Sequence, residues 1–219
     1  MQEITLLSKD LRVPADTPAH KKNMKRGITV GIVAILAVAL IIGLMIYGIN
    51  CFNRLVSLRH NLKAAWSNID VLLKQRHDEL PKLVTTCREF MKYEQETLEK
   101  VTLARSRVSD AMHNGNLAEL GVAETMMSQS LGRLFALTES YPDLKTNESF
   151  MRLQSRISSL ENAIADRREF YNDSVNANNI TVDAFPTNLI ARWFAFKIAP
   201  LFQVDNSELA DINLEKLFA

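Results

Sequence analysis

Glycine and proline are scarce, seven and six among 219 residues. An all-β body with many tight turns needs more of both, so that class is set aside. Cysteine is scarcer: Cys51 and Cys87 stand 36 positions apart, too few for a disulfide framework, and are expected as thiols. Neither sign of charge dominates, with 26 Lys and Arg against 25 Asp and Glu. A chain so balanced carries no broad basic field for nucleic acid. Of the four histidines (His20, His60, His77 and His113) none falls in the Glu-x-x-His pattern of a di-metal helical bundle. A glycine-rich phosphate loop, a Gly-x-Ser-x-Gly elbow and a Cys–His pair on an obvious scaffold are also missing. The expectation is a protein that is not an enzyme, with no catalytic, cofactor-binding or metal-ligating residue and no cofactor.

What the chain does have is one long apolar run. From Ile28 to Ile49 it reads ITVGIVAILAVALIIGLMIYGI, with no charged residue. As a helix the run spans roughly 33 Å, the thickness of a bilayer's hydrocarbon. It is longer than the apolar part of a cleavable signal peptide, and Tyr47-Gly48-Ile49-Asn50-Cys51 offers neither a small-x-small site nor a lipoprotein box. An uncleaved single-pass membrane anchor is therefore expected. Lys21, Lys22, Lys25 and Arg26 precede the run more densely than Arg54 and Arg59 follow it. That excess puts the N-terminus in the cytoplasm and the large domain outside.

Beyond the run, apolar residues recur every three or four places. Leu55, Leu58, Leu62, Ala65, Ile69 and Leu72 begin a stripe that resumes after Arg76 at Leu80, Leu83, Cys87, Phe90, Glu94, Leu98 and Val101. The spacing predicts one helix from the anchor to about Ala111, bent at Pro81. Gly115 supplies its stop, and Asn116 with Glu119 resembles a capping box for a second helix. That helix carries Leu120, Ala123, Met127, Leu131 and Leu134 and ends near Tyr141-Pro142-Asp143. A third runs through Phe150, Leu153, Ile157, Leu160, Ile164, Tyr171, Val175 and Val182. The segment from Phe185-Pro186 to Phe196 reads as a short helix over the bundle's end. The fold class is thus all-α: a single N-terminal transmembrane helix, then an elongated antiparallel helical bundle. Its fourth member is expected from the first helix folding back at Pro81 or from the C-terminal segment. Residues 1–27 read as a disordered basic tail, 28–49 as the transmembrane helix, 50–204 as the bundle and 205–219 as a C-terminal tail.

Several blocks also resemble a known family. They are Phe52-Asn53-Arg54-Leu55-Val56-Ser57-Leu58-Arg59, Ala65-Trp66-Ser67-Asn68-Ile69-Asp70-Val71 and Gln75-Arg76-His77-Asp78-Glu79-Leu80-Pro81-Lys82-Leu83-Val84. Tyr141-Pro142-Asp143-Leu144-Lys145, Glu161-Asn162-Ala163-Ile164-Ala165, Arg167-Arg168-Glu169-Phe170-Tyr171-Asn172 and Phe185-Pro186-Thr187-Asn188-Leu189-Ile190-Ala191 follow in order. This series is similar to the bacterial LemA family over most of residues 52–196. Phe52 stands where a tyrosine is common, and Glu79 and Lys82 replace more typical Ile and Asn. The resemblance implies one N-terminal membrane segment before a helical bundle, and it implies no defined activity.

Polar residues on the stripes are the remaining signal. Arg76, Arg167 and Asn178 occupy inward positions, with Asp70, Asp78 and Glu161 as partners from neighbouring helices. Such pairs fix helix register; the alternative is a polar pocket between helices for a small ligand. His77-Asp78-Glu79 reads as a polar helix face before a metal site, because adjacent residues point around a helix. Cys87 reads as a core residue, and Trp66 and Tyr171 as core anchors. The Trp193-Phe194-Ala195-Phe196 run holds more aromatics than one helix face buries, and packs under the bundle or meets a partner or the lipid interface. The function these features favour is a membrane-anchored interaction or assembly scaffold, held in the lipid bilayer through residues 28–49. Its protein partners are unidentified, a homo-oligomer is one option, and nucleic acid is none. A ligand-sensing bundle is the alternative.

Overall fold

A computed structural model describes the backbone of residues 18–204 and the side chains of residues 28–204. The outer tail segments, 1–17 and 205–219, lie outside the described residues. Among the described residues six helices follow in order: α1 (Pro18–Phe90), α2 (Gln95–Asn114), α3 (Leu117–Thr138), α4 (Pro142–Lys145), α5 (Glu148–Asp183) and α6 (Thr187–Trp193). No strand occurs among the described residues. They fall into two compact units, one ending at Phe52 and the next beginning at Asn53.

In the first unit the apolar side chains from Ile28 to Ile49 stand exposed on every side of α1. A helix apolar all round has no stable place in water and is suited to lipid. It is the one described helix long and apolar enough to cross a membrane.

The second unit is a bundle of four long helical segments, the later part of α1 with α2, α3 and α5. The register of α1 against α5 is antiparallel and regular. Leu55 packs with Val182, the Trp66 ring meets Tyr171 edge-on at 5.6 Å, and Arg76 reaches Glu161. Each step up α1 is matched by an equal step back along α5, eleven residues and then ten. Leu55, Ala65, Ile69, Leu80, Leu83 and Cys87 of the expected stripe are inside, but Leu73 takes the core place expected of Leu72, which is only partly buried.

The first helix does not continue to Ala111. It stops at Phe90, and the chain reverses over residues 91–94, ten residues later than a fold-back at Pro81. Glu94 N–H donates to the Met91 carbonyl and Met91 N–H to Cys87, which closes the turn with neither glycine nor proline. Folding back buries Leu98, Val101, Ala104 and Val108, which a continued rod would leave wet. Pro81 lies inside α1. Its ring removes the N–H that would serve the carbonyl of His77, four residues earlier. Arg105 from α2 fills that gap, donating Nε–H to the His77 carbonyl at 2.9 Å. A tertiary partner thus replaces the missing helical bond.

The other boundaries follow local chemistry. Gly115 takes the left-handed conformation (φ 65°) that ends α2. The Asn116 side chain accepts from the amides of Ala118 and Glu119 and starts α3. Asn147 caps α5 by accepting from Phe150 N–H at 3.0 Å.

Candidate functional site

Two polar features sit inside this apolar bundle. The first is centred on Arg76, which falls on the buried stripe of α1 and is 2% exposed. A guanidinium cannot be left unpaired there. It donates through Nη2 to Glu124 of α3, itself 4% exposed. Its Nη1 lies 3.9 Å from Oε1 of Glu161 on α5, which also accepts from the Ser128 hydroxyl at 3.3 Å. One cation thus ties three helices at one height. Burial pushes the Glu161 carboxyl above its ordinary range, and the Glu124 charge adds to this. Arg76 and the Ser128 hydroxyl oppose it. A cavity of about 220 Å³ opens beside the cluster, lined by Ser128, Glu161, Arg168 and Val204 among others.

The second feature is a strap. After α6 the chain runs without regular structure through residues 196–204 and is fastened to α5 by asparagines. Asn179 donates Nδ2–H to the Ala199 carbonyl at 2.9 Å and accepts from Ala199 N–H at 2.8 Å. Asn172 repeats this with Phe202, donating at 3.0 Å and accepting at 2.8 Å. Asn178 donates to the Lys197 carbonyl at 3.3 Å, and the Tyr171 hydroxyl to the Pro200 carbonyl at 3.2 Å. The spacing has a simple cause. Seven residues of helix rise about 10.5 Å, and three residues of extended chain cover about 10 Å, so the two clamps match. Phe202 then inserts into the core beside the Trp66 ring, 6.0 Å away. Gly121 of α3 completes the seat: a Cβ there would stand 1.9 Å from the Gln203 carbonyl oxygen.

The structure sorts the polar residues singled out from sequence. Arg76 and Glu161 come together, joined by Glu124, which the stripe analysis missed. The signal was present, because Glu124 lies three residues before Met127 on the buried stripe of α3 and has the opposite sign to Arg76. Asn178 is buried as expected, and its partner is strap backbone. Arg167 is exposed, a correction: α5 turns that position to solvent between Ile164 and Tyr171, where no burial penalty arises. Asp70 pairs with Lys74 on the surface, and Asp78 is exposed. His77 stands 2.6 Å from Arg105 while Glu79 turns to Lys82 at 3.1 Å, so the three neighbours do not converge. Burial, and then the Arg105 charge, hold the His77 imidazole below 6.5. Cys87 is wholly buried, and desolvation pushes its thiol up to about 12. Among the described residues no group of three or more His, Cys, Asp or Glu is placed to hold a metal ion.

Comparison with known proteins finds sequences similar to this chain. The chain is 26% identical to Protein LemA of Metamycoplasma hominis over 217 residues, 95% of this chain and 98% of that one. It is 24% identical to Magnetosome protein MamQ 2 of Paramagnetospirillum magneticum over 195 residues, 78% of this chain and 71% of that one. Magnetosome protein MamQ of Magnetospirillum gryphiswaldense is 21% identical over 174 residues, covering 69% of this chain and 64% of that one. None of these names denotes an enzyme. The model of the LemA family matches residues 65–215, from the middle of α1 past the strap, and the chain belongs to the LemA family.

Proposed function

We propose that this chain is a membrane-anchored, non-catalytic scaffold whose helical surfaces dock partner proteins or further copies of itself. The reading is carried by the Arg76 cluster. The most strongly placed polar groups of the interior close on one another, as register-fixing groups do. The outer faces hold alternating charges, such as Lys74 with Asp70 and Lys100 with Glu96. Pairs of this kind contribute little to stability and remain available to partners. The N-terminus lies in the cytoplasm and the bundle outside the cytoplasmic membrane, a reading supported by the basic residues crowded before Ile28.

The measurement is the mass of the full chain extracted in mild detergent, with cross-linking in intact cells. Scaffolding predicts a species above one copy or a defined stoichiometric partner. A strict, solitary monomer by both methods overturns it. Cleavage of the bundle by protease added to spheroplasts is expected, and protection overturns the orientation.

The second reading, a bundle that senses a small ligand, has one observation in its favour. Glu161 and Arg168 line the 220 Å³ cavity. That volume is below the roughly 300–1,000 Å³ usual for ligand pockets, which keeps this reading second.

A further inference from the structure

The corner between α5 and α6 carries large apolar side chains that the bundle does not cover. Phe185 is 80% exposed, Leu189 59% and Trp193 85%. Leu189 and Trp193 are four apart on α6 and share a face. Ala191, midway between them, is the residue α6 buries, against Leu55 and Val182. Two residues along a helix is a rotation of about 200°, so burying Ala191 forces Leu189 and Trp193 to the opposite side. The exposure is therefore built into the packing of α6. Aromatic side chains present about 150–250 Å² each, so Phe185 and Trp193 with Leu189 approach the patch size that marks an interaction site.

Two further observations name the occupant. Leu55, the residue on which α6 rests, follows Ile49 by only six residues, about 9 Å of helical rise. Only a short stretch of chain therefore joins the residue beneath the patch to the apolar run. The charges around it are mostly basic. Arg192 and Lys197 flank the aromatics, Arg54 and Arg59 lie on the adjoining turns of α1, and Asp183 is the acidic neighbour. The Arg59 guanidinium sits 5.3 Å from the centre of the Phe196 ring. Exposed tryptophan beside arginine and lysine is the chemistry of an anionic lipid surface.

We propose that Phe185, Leu189 and Trp193 form a second membrane contact, entering the headgroup region of an anionic bilayer and fixing the bundle against it. The proposal rests on residues 28–49 spanning that bilayer. It is tested with the full chain in phosphatidylcholine–phosphatidylglycerol vesicles, with and without acyl-chain-brominated lipid. The protein has two tryptophans, and Trp66 is partly buried in the bundle. Subtracting the emission of Trp193→Phe from that of the unmodified chain isolates Trp193. Should that variant fail to fold, Trp66→Phe leaves Trp193 as the single indole and gives the same reading. The expected result is blue-shifted Trp193 emission, quenched at least twofold by brominated lipid and little by aqueous iodide. Quenching by iodide alone places the face in water and overturns the proposal. Shielding from both quenchers means a protein covers it, and overturns the proposal too. A chain that does not float with the vesicles removes the span and this contact together. A floating chain with a wet Trp193 removes only the contact.

Discussion

Replacing Arg76 with methionine keeps the stripe apolar and removes one charge, and the structure says how much that costs. Glu124 is 4% exposed and has Arg76 as its guanidinium partner. Stripped of it, the carboxylate must either protonate or draw water into the core. Breaking a buried pair in this way costs about 3–5 kcal/mol. For a domain this size each kcal/mol lowers Tm by about 2–4 °C, so a fall of roughly 6–20 °C is expected. Glu161 adds little, being only partly buried and able to reach water through the neighbouring cavity. The companion variant is Arg76→Met with Glu124→Leu, which removes both charges. Well-packed apolar replacements of buried pairs are neutral or stabilising, so the double variant should recover most of the loss. The assay is thermal unfolding of the full chain in detergent by circular dichroism, completed as a double-mutant cycle. If Arg76→Met alone shifts Tm by less than about 2 °C, the pair is not desolvated, and the register argument falls with it.

Four other outcomes are expected. Arg105→Gln should cost about 1.5–3 kcal/mol through the lost bond to the His77 carbonyl; in a Pro81→Ala background, where a helical N–H returns, chemical denaturation should show a smaller cost. Gly121→Ala should destabilise by about 1–3 kcal/mol and speed amide exchange at Phe202, because its Cβ collides with the Gln203 backbone; Gly132→Ala, with open space around it, is the control. Burial raises the Glu161 carboxyl above 4.5, so the native state holds that proton more tightly than the unfolded one. Stability should then fall as pH rises from about 4.5 through the native value, and melts of Glu161→Gln should lack that fall. Cys87, with its thiol near 12, should resist alkylation at pH 8 in a Cys51→Ser chain until denaturant is added, as read by mass spectrometry.

Much of the fold was legible because burial follows a simple period. The α3 and α5 stripes, the Gly115 stop and the Asn116 cap are all local in origin, and each was read from residues a few places apart. The reversal at residues 91–94 was not, since Met91-Lys92-Tyr93-Glu94 carries no turn residue. That break is decided by the apolar surface of α2 finding the surface of α1, a long-range effect that no local pattern records. Arg167 misled for a related reason. Positions seven apart from Phe150 to Asn178 all stay buried along α5, but whether the seam's edge at 167 is covered depends on what packs there, and it faces water. The strap was invisible because asparagine on a helix reads as a neutral surface residue. Only the seven-residue spacing of Asn172 and Asn179 hinted that one face repeats.

Pro81, through which the sequence predicts a continued but bent helix and at which a fold-back is one option, shows why such a residue is ambiguous in sequence. Proline forbids one hydrogen bond and crowds one turn, but it does not dictate what the chain does in response. A break costs a loop and the burial that the lost turns supplied. Continuing costs one orphaned carbonyl, and an orphan can be satisfied from outside the helix. Arg105 reaches that carbonyl with one N–H and the His77 ring with another, so here the helix continues. The same logic runs through the bundle. Arg76 closes on two carboxylates, and Asn172 and Asn179 close on strap backbone. Each of these groups is satisfied by a partner at one height along the helices. A slip of any helix by a turn would leave several of them buried and unpaired at once. Apolar stripes alone would tolerate such a slip; these polar groups do not.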